Sequence, residues 1–236
     1  MRSLFLFDFD SKGSIELLVS CAFRDQGIPH GFTSRQNNFG ARNNGPSDRV
    51  TLSRELGIDA CVTMRQVHGS SVVAVKHTQW TPECDGVMTE RTGLGLVVSS
   101  ADCVPIFLVE PQARVVGVLH AGWRGVAAGI LEQGLAVMFR EFGIRERQLH
   151  IHFGPAICGN CYEVGPEVHE ALRLTVPSHP GRLDLRAVLA DRGSALGVDL
   201  DKMSRSTHCT ICTQSGLFSH RGGDRSRQVA FMGIRG

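Results

Sequence analysis

The chain has 236 residues, of which 42% are hydrophobic, and a formal net charge of only +2. This composition excludes an intrinsically disordered chain, and it gives no strong field for non-specific nucleic-acid binding. The longest apolar runs, at 94–98 and 115–119, have strand length, and Asp8 and Asp10 interrupt the apolar N-terminus, so neither a membrane span nor an export signal is expected. We therefore expect a cytoplasmic protein with reduced cysteines and without nucleic-acid or membrane partners.

The first half of the chain predicts one loop, one helix and several strands. Residues 31–50 are rich in glycine, asparagine, serine and arginine, which indicates a long loop. A short helix is expected at 50–56, ended by Gly57. We expect a turn at Pro105, between two strand-like runs. Over the whole chain, β-branched or continuously apolar runs predict strands at 71–75, 94–99, 106–109, 115–119, 150–153 and 228–232.

Helical periodicity is clearest after the fourth of these strands. Ala127, Leu131, Leu135 and Met138 recur at helical spacing, which predicts one helix over 126–142, with Gly143 as its end. Shorter helices are predicted at 166–175 and 185–196. Because strands and helices are mixed without a regular βαβ rhythm, the sequence predicts an α+β fold in a single domain spanning residues 1–236.

Three residues follow or precede predicted strands and could form one site. His68 lies just before the strand at 71–75, Cys103 follows the strand at 94–99, and His120 follows the strand at 115–119. Two imidazoles and a thiolate suit Zn²⁺ with a fourth position open for water or substrate. The alternative is that the histidines are turn residues and that Cys103 is a small buried hydrophobe.

Several other residues have both a chemical and a structural interpretation. Arg124 lies at a glycine-flanked helix start and either binds an anion or caps loop carbonyls. Asp85 is either a functional carboxylate or a turn former, and Asp102 either orients a ligand or caps a helix. The basic run at 219–225 either closes over an anionic ligand or forms a solvated loop.

Two Cys-x-x-Cys pairs, Cys158/Cys161 and Cys209/Cys212, are the sharpest local pattern in the chain. Four thiols of this kind suit a structural zinc site, and each pair alone could be a redox dithiol. However, 47 residues with helical segments separate the pairs, unlike a compact zinc ribbon. We expect these cysteines to be peripheral to the chemistry and at most structural.

Taken together, the motifs resemble those of the laccase-domain family, also called the multicopper polyphenol oxidase-like, peptidoglycan editing factor or purine nucleoside phosphorylase family. The resemblance runs from about residue 30 to the C-terminus. It is carried by Gln-Val-His-Gly at 66–69, Asp-Gly at 85–86, Ala-Asp-Cys-Val-Pro at 101–105, His-Ala-Gly-Trp-Arg-Gly at 120–125, Gly-Pro-Ala-Ile at 154–157 and Tyr-Glu-Val-Gly at 162–165.

This resemblance implies a layered α+β fold, in which mixed β-sheets form a sandwich between helices. It implies a zinc site and catalytic centre at His68, Cys103 and His120. The implied activity is phosphorolysis of adenosine, inosine and S-methyl-5'-thioadenosine, with adenosine deamination as a side activity. We expect five further residues to bind substrate or phosphate: Arg124, Arg65, Gln66, Asp85 and Arg221.

The chain departs from the family pattern near both ends. The loop after Gly31-Phe32-Thr33-Ser34-Arg35 is short, and the family's C-terminal Ser-Tyr-Arg-Arg-Asp-Gly is replaced by Ser-His-Arg-Gly-Gly-Asp, where only Ser219 and Arg221 match. Nucleoside preference is therefore left open. We expect a monomer or weak homo-oligomer that acts on purine nucleosides and phosphate.

Other classes of function remain as alternatives. Copper could replace zinc in a polyphenol oxidase, although the ten histidines contain a single His-x-His, at 150–152. A cysteine or zinc hydrolase that edits peptidoglycan could use Cys103 as nucleophile with His120 or His68 as base. A non-enzymatic binding module is the last alternative.

Overall fold

A computed structural model describes residues 7–12, 15–20, 27–35, 46–77, 82–213 and 216–236. The described strands, numbered in chain order, are β1 (Phe7–Lys12), β2 (Ile15–Ser20), β3 (His30–Thr33), β4 (Ala60–Thr63), β5 (Val72–Ala74), β6 (Gly86–Thr89), β7 (Leu94–Ser100), β8 (Val104–Glu110), β9 (Val115–Ala121), β10 (His150–Phe153), β11 (Glu163–Val164), β12 (Gly181–Arg182), β13 (Met203–Arg205) and β14 (Gln228–Gly233). The described helices are α1 (Pro46–Leu56), α2 (Trp123–Ala127), α3 (Ile130–Phe142), α4 (Pro166–Ala171) and α5 (Leu185–Ala195), with 3₁₀ turns at Glu146–Gln148 and Leu200–Lys202.

Two six-stranded sheets form the centre of the fold. The first has the order β1-β2-β3-β14-β7-β4, and the second has the order β13-β10-β8-β9-β6-β5. Both sheets are mixed: β4 pairs parallel to β7, β5 to β6 and β13 to β10, whereas the other neighbours are antiparallel. The predicted α+β class with mixed sheets is therefore confirmed.

Successive side chains of each strand point to opposite faces of the sheet, and the buried side chains form three hydrophobic layers. On β9, Val116 and Val118 pack into the core between the two sheets, while Val115 and Leu119 pack against α3 and α5 on the opposite face. A smaller cluster joins Leu52 of α1 to the outer face of the first sheet. The order of layers is therefore helix, sheet, sheet, helices. Among the described residues, no helix has the length and apolar character needed to cross a membrane.

Most predicted elements are confirmed. The prediction of a loop over residues 31–50 is wrong at both ends of this range, which are the parts of it that the structure describes. Residues 30–33 form β3, because Phe32 is fully buried and pairs with Ala230 of β14. Residues 46–50 belong to α1, which begins at Pro46, a favoured first helical residue. The helix ends as predicted at Gly57, whose φ is +66°. Residues 36–45 lie outside the described part.

Backbone conformation explains three further corrections. The turn expected at Pro105 lies instead at 101–103, where Asp102 has φ +86°, and Pro105 is the second residue of β8. The single helix predicted at 126–142 is two helices, because Gly129 adopts a left-handed conformation with φ +85°. The helix predicted at 166–175 stops at Ala171, and Arg173 has φ +60°. The predicted stop at Gly143 is confirmed.

Candidate active site

Three chain segments bring His68, Cys103 and His120 together. His68 lies in the turn before β5, Cys103 lies in the turn between β7 and β8, and His120 is the penultimate residue of β9. Their potential ligand atoms all lie within 4.8 Å of one another. The two imidazole rings meet edge to face, with centroids 4.8 Å apart. These three residues, here called the triad, thus converge as the sequence predicted.

Asp85 organises the triad from a fully buried position just before β6. One carboxylate oxygen accepts from the backbone N–H of His68 at 3.0 Å and lies 2.9 Å from Nδ1 of His120. The other accepts from the N–H groups of Val67 and Gly69. These bonds hold His68 at φ +60° and leave Nε2 of His120 available to a ligand. Asp85 is therefore a positioning residue rather than a turn former alone.

The charges of the site stabilise one another. Burial alone would raise the pKa of Asp85, but hydrogen bonds from His120 and the backbone lower it. Burial likewise opposes ionisation of Cys103, yet the charges and hydrogen bonds of His120 and His68 lower the pKa of this thiol to about 6. Burial of His120 is outweighed by Cys103 and Asp85, which raise its pKa to about 9. The site therefore favours a thiolate beside a protonated imidazole, and a metal ion bound by both groups would displace the imidazole proton.

Two glycines allow the close packing around the triad. A Cβ atom on Gly122 would lie 2.9 Å from Sγ of Cys103 and 3.3 Å from a ring carbon of His68. A Cβ atom on Gly125 would lie 2.8 Å from the carbonyl oxygen of Gly69. Both contacts are shorter than ordinary van der Waals distances, so the glycines of the motif at 120–125 fix the separation between α2 and the His68 turn.

A cleft of about 650 Å³ opens beside the triad. This volume is in the range of small-molecule sites. Besides the triad, three cationic or ionisable side chains line it: Arg65, His220 and Arg227. The positive charge of Arg227, together with that of Arg65, which an ion pair with Glu83 partly offsets, suits an anionic substrate.

Of the residues predicted to bind substrate or phosphate, Arg65 and Gln66 line the cleft and Arg124 lies outside it. Arg65 is exposed and forms an ion pair with Glu83 at the cleft edge. Gln66 has both amide atoms bound to the backbone of Ser99, donating at 2.9 Å and accepting at 2.8 Å, so its side chain ties the His68 segment to β7. Arg124 is exposed and stacks on the Trp123 ring at 4.4 Å, and it does not line the cleft.

Arg221 belongs to a group centred on Asp102. The carboxylate of Asp102 accepts from the hydroxyl of Thr210 at 2.5 Å and from the backbone N–H of Arg221 at 2.7 Å. The guanidinium of Arg221 donates to the carbonyl of Glu163 and lies 5.1 Å from the Tyr162 ring. Asp102 therefore joins the C-terminal segment to the turn that carries Cys103, and it caps no helix.

Tyr162 is a residue of the site that reasoning from the individual side chains missed. Burial raises the pKa of its phenol, and the charge of Cys103 adds to this effect. The ring lies 5.1 Å from the guanidinium of Arg221, whose backbone N–H donates to Asp102, the neighbour of Cys103 in the chain. Its only signal in the sequence is the Tyr-Glu-Val-Gly motif. Arg227 was also missed, because it follows the basic run at 219–225 and has no motif of its own. His220, from that run, does reach the cleft.

Comparison with known proteins defines the class of this fold and site. A family model described as multi-copper polyphenol oxidoreductase laccase matches residues 30–235. The crystal structure of YlmD from Geobacillus stearothermophilus superimposes with a TM-score of 0.86 at 26% identity and covers 100% of both chains. The YfiH protein of Bacillus licheniformis gives a TM-score of 0.85 at 25% identity, covering 97% and 99% of the two chains.

The chain belongs to this laccase-domain family. Similar curated proteins carry the names of two activities. The purine nucleoside phosphorylase of Deinococcus radiodurans is 31% identical over 88% of this chain and 89% of its own. Purine nucleoside phosphorylase YlmD of Geobacillus stearothermophilus is 33% identical over 75% and 73%. Adenosine deaminase RL5, from an unknown prokaryotic organism, is 33% identical over 74% of its own length and 73% of this chain.

Proposed function

We propose that the chain is a zinc-dependent purine nucleoside phosphorylase that cleaves the C–N glycosidic bond of adenosine, inosine and S-methyl-5'-thioadenosine. The observation that carries the proposal is the triad, with its open ligand position, on the wall of a cleft lined by Arg65, His220 and Arg227. The names of the phosphorylase relatives support it, since 31–33% identity extends over most of both chains. We propose that the protein acts in the cytoplasm, as a monomer or weak homo-oligomer.

We propose that the triad holds the zinc ion. Two imidazole nitrogens and one thiolate within 4.8 Å fit a tetrahedral ion that keeps one position open. Zinc bound there supplies Lewis acidity toward an oxygen of the substrate or phosphate. In this account Asp85 fixes the ring of His120 through Nδ1, and the Asp85 bonds to the His68 turn set the second imidazole.

Copper is the alternative metal, in keeping with the name of the family model. A multicopper oxidase needs several histidine-rich ligand sets. Among the described residues, only two groups could hold a metal, and one of them has no histidine. His152 of the single His-x-His is buried and lies 2.7 Å from the Ser204 hydroxyl. These observations favour one zinc at the triad over a copper centre.

Phosphate is the nucleophile that the charges of the site favour. We propose that Arg227 and Arg65 bind the phosphate dianion in the cleft, with His220 as a further donor, and that Arg124 and Arg221 complete the positive field from the side of Tyr162. Each charge-assisted contact to a phosphate oxygen orients the anion and draws it from water into the cleft. Water, which is neutral, gains none of this stabilisation.

The test measures release of free base and ribose 1-phosphate from inosine and adenosine, with and without phosphate. We expect cleavage only when phosphate is present. Arg227→Ala should raise the KM for phosphate and lower kcat/KM, by about 10²-fold for a contact worth about 3 kcal/mol. Arg124→Ala should have a smaller effect, because its side chain lies outside the cleft. Arg140→Ala, on α3 with Glu141 as its ion-pair partner, is the matched control. Equal base release without phosphate would make the protein a hydrolase.

Adenosine deamination is a second candidate activity, favoured by the relative named adenosine deaminase RL5. In a zinc site of this kind, the open ligand position can hold a water of lowered pKa. Production of inosine from adenosine in the absence of phosphate measures this activity separately. A peptidoglycan-editing thiol hydrolase would instead use Cys103 as nucleophile. In that case, stripping of metal would raise the activity rather than abolish it.

A further inference from the structure

A second group of potential metal ligands lies outside the cleft. Its members are the four thiols of the two Cys-x-x-Cys pairs, here called the four-cysteine cluster: Cys158, Cys161, Cys209 and Cys212. All four sulfur atoms lie within 4.8 Å of one another. The two pairs therefore meet in the fold, although 47 residues separate them in the sequence.

The sheet explains why the two pairs meet. Cys158 and Cys161 lie in the turn that follows β10, and Cys209 and Cys212 lie in the turn that follows β13. These two strands are parallel neighbours, with Ile151 opposite Met203, so their carboxyl ends leave the sheet at the same edge. A bridge between Ala156 and Cys209 extends the pairing up to the cluster. The intervening helices α4 and α5 form the connection between the strands.

The spacing of the sulfur atoms suits a single ion. Sγ of Cys158 lies 3.6 Å from Sγ of Cys212. Zinc–sulfur bonds of about 2.3 Å in a tetrahedron place neighbouring sulfurs about 3.8 Å apart. A disulfide requires about 2.05 Å, and none of the described cysteines forms one. A polynuclear iron–sulfur cluster would spread the sulfurs further, because its thiolates would be divided between two or four irons.

Backbone hydrogen bonds order both turns and aim two N–H donors at the sulfur of Cys209. Sγ of Cys209 accepts from the N–H groups of Cys158 at 3.3 Å and Ile211 at 3.4 Å. The N–H of Cys161 donates to the carbonyl of Cys158, which closes the first turn. In the second turn, the hydroxyl of Thr213 accepts from the N–H of Cys209 and donates to its carbonyl oxygen. Donors aimed at sulfur stabilise its anionic form, which is the form that binds a metal.

We propose that the four-cysteine cluster binds a structural Zn²⁺ ion, separate from the ion proposed for the triad. Four protein ligands close the coordination sphere, which leaves no position for substrate. Binding releases the protons of the thiols that ionise and joins the turns after β10 and β13.

This ion would also position the outer side of the active site. Tyr162 follows Cys161 directly, and Thr210, which donates to Asp102, lies between Cys209 and Cys212. Asp102 in turn precedes Cys103 and holds the backbone of Arg221. The ion at the four-cysteine cluster would therefore fix the segments that carry Tyr162 and Arg221 beside the triad.

The first test counts zinc in protein purified under reducing conditions without added metal. We expect about two zinc ions per chain in the wild type and about one in Cys212→Ser. Cys212 is exposed, so loss of its side chain costs little packing, and Cys158→Ser provides a second variant. Cys61→Ala removes a buried thiol that belongs to neither group of potential ligands and should keep two ions. His68→Ala should lose the other ion and keep this one, which separates failure of this proposal from failure of the proposed function.

A second readout follows the position of Tyr162, the single tyrosine of the chain. Incorporation of fluorotyrosine gives one ¹⁹F resonance, which should shift or broaden in Cys212→Ser and stay unchanged in Cys61→Ala. Equal zinc contents in the wild type and Cys212→Ser would overturn the proposal. So would iron in place of zinc, or an unchanged resonance in a variant that has lost the ion.

Discussion

The triad, with two imidazoles and one thiol, and the four-cysteine cluster, with four thiols, are both groups of potential metal ligands, but their surroundings differ. The triad has three ligands, a buried carboxylate that orients them and a cleft of about 650 Å³ on its open side. The four-cysteine cluster has four ligands, is oriented by backbone N–H groups and belongs to two turns at a sheet edge. A site with an open coordination position beside a cleft suits catalysis. A site in which four protein ligands from two turns close the coordination sphere suits a structural role.

The largest effect should come from Cys103→Ala. Loss of the thiolate removes one of three ligands, so the triad should lose its zinc, and kcat/KM for phosphorolysis should fall by about 10³-fold or more, equivalent to at least 4 kcal/mol. The melting temperature should also fall, because an ion bound only by the folded state stabilises it. Metal analysis, steady-state rates and calorimetry check this together. Full zinc retention in the variant would exclude Cys103 as a ligand.

Asp85→Asn should weaken the triad without removing a ligand. The amide would no longer accept all the bonds from His120 and the 67–69 backbone, so zinc affinity should fall by about 10–100-fold. Competition with a chromophoric chelator measures this affinity, and zinc at the four-cysteine cluster, read in the same titration, is the internal control. An unchanged affinity at the triad would mean that Asp85 does not orient His120.

Gly122→Ala should affect the same site through crowding. The new Cβ would press on Sγ of Cys103 from 2.9 Å, and relief of such overpacking costs about 1–3 kcal/mol. We expect kcat/KM to fall by about tenfold while the four-cysteine cluster keeps its ion. The comparison variant is Gly69→Ala, where the nearest atoms lie 3.6 Å from the Cβ position. A wild-type rate for Gly122→Ala would show that the site can expand without loss.

The sequence predicts the triad well, because each member lies close to a predicted strand and within a distinctive motif. It does not predict that the two cysteine pairs meet, since this depends on the parallel pairing of β10 with β13 across 47 residues. Nor does it predict that Arg227 reaches the cleft while Arg124 stacks on Trp123 outside it. Local patterns specify elements, whereas the sheet order decides which elements become neighbours.

Double replacement of Cys158 and Cys161 by serine should act on stability more than on turnover. Loss of a ligand that binds only the folded state costs about 2.7 kcal/mol when it is present at a hundredfold excess over its Kd. For a chain of this length, that predicts a Tm lower by about 5–10 °C. The activity of the folded fraction should fall by only a few-fold. A large loss of turnover at unchanged Tm would place this cluster in the chemistry.

Acid should reduce stability through Asp85. Its pKa in the folded protein lies below the unfolded value of about 3.9, so the unfolded chain binds more protons between these two values and the free energy of unfolding rises with pH there. The contribution is complete above about pH 4 and is lost as the pH falls through the lower, folded pKa. The difference in unfolding free energy between wild type and Asp85→Asn, measured with urea, should therefore shrink below about pH 4. A constant difference would contradict the assignment.

The most direct measurement pairs zinc content with phosphate-dependent base release in Cys103→Ala and Cys212→Ser. Each variant should lose one of two ions, yet only Cys103→Ala should lose the release of base from inosine. That result would establish the triad as the catalytic site and the four-cysteine cluster as a structural one. Loss of base release in well-folded Cys212→Ser, with full activity in Cys103→Ala, would reverse the two roles and contradict the account.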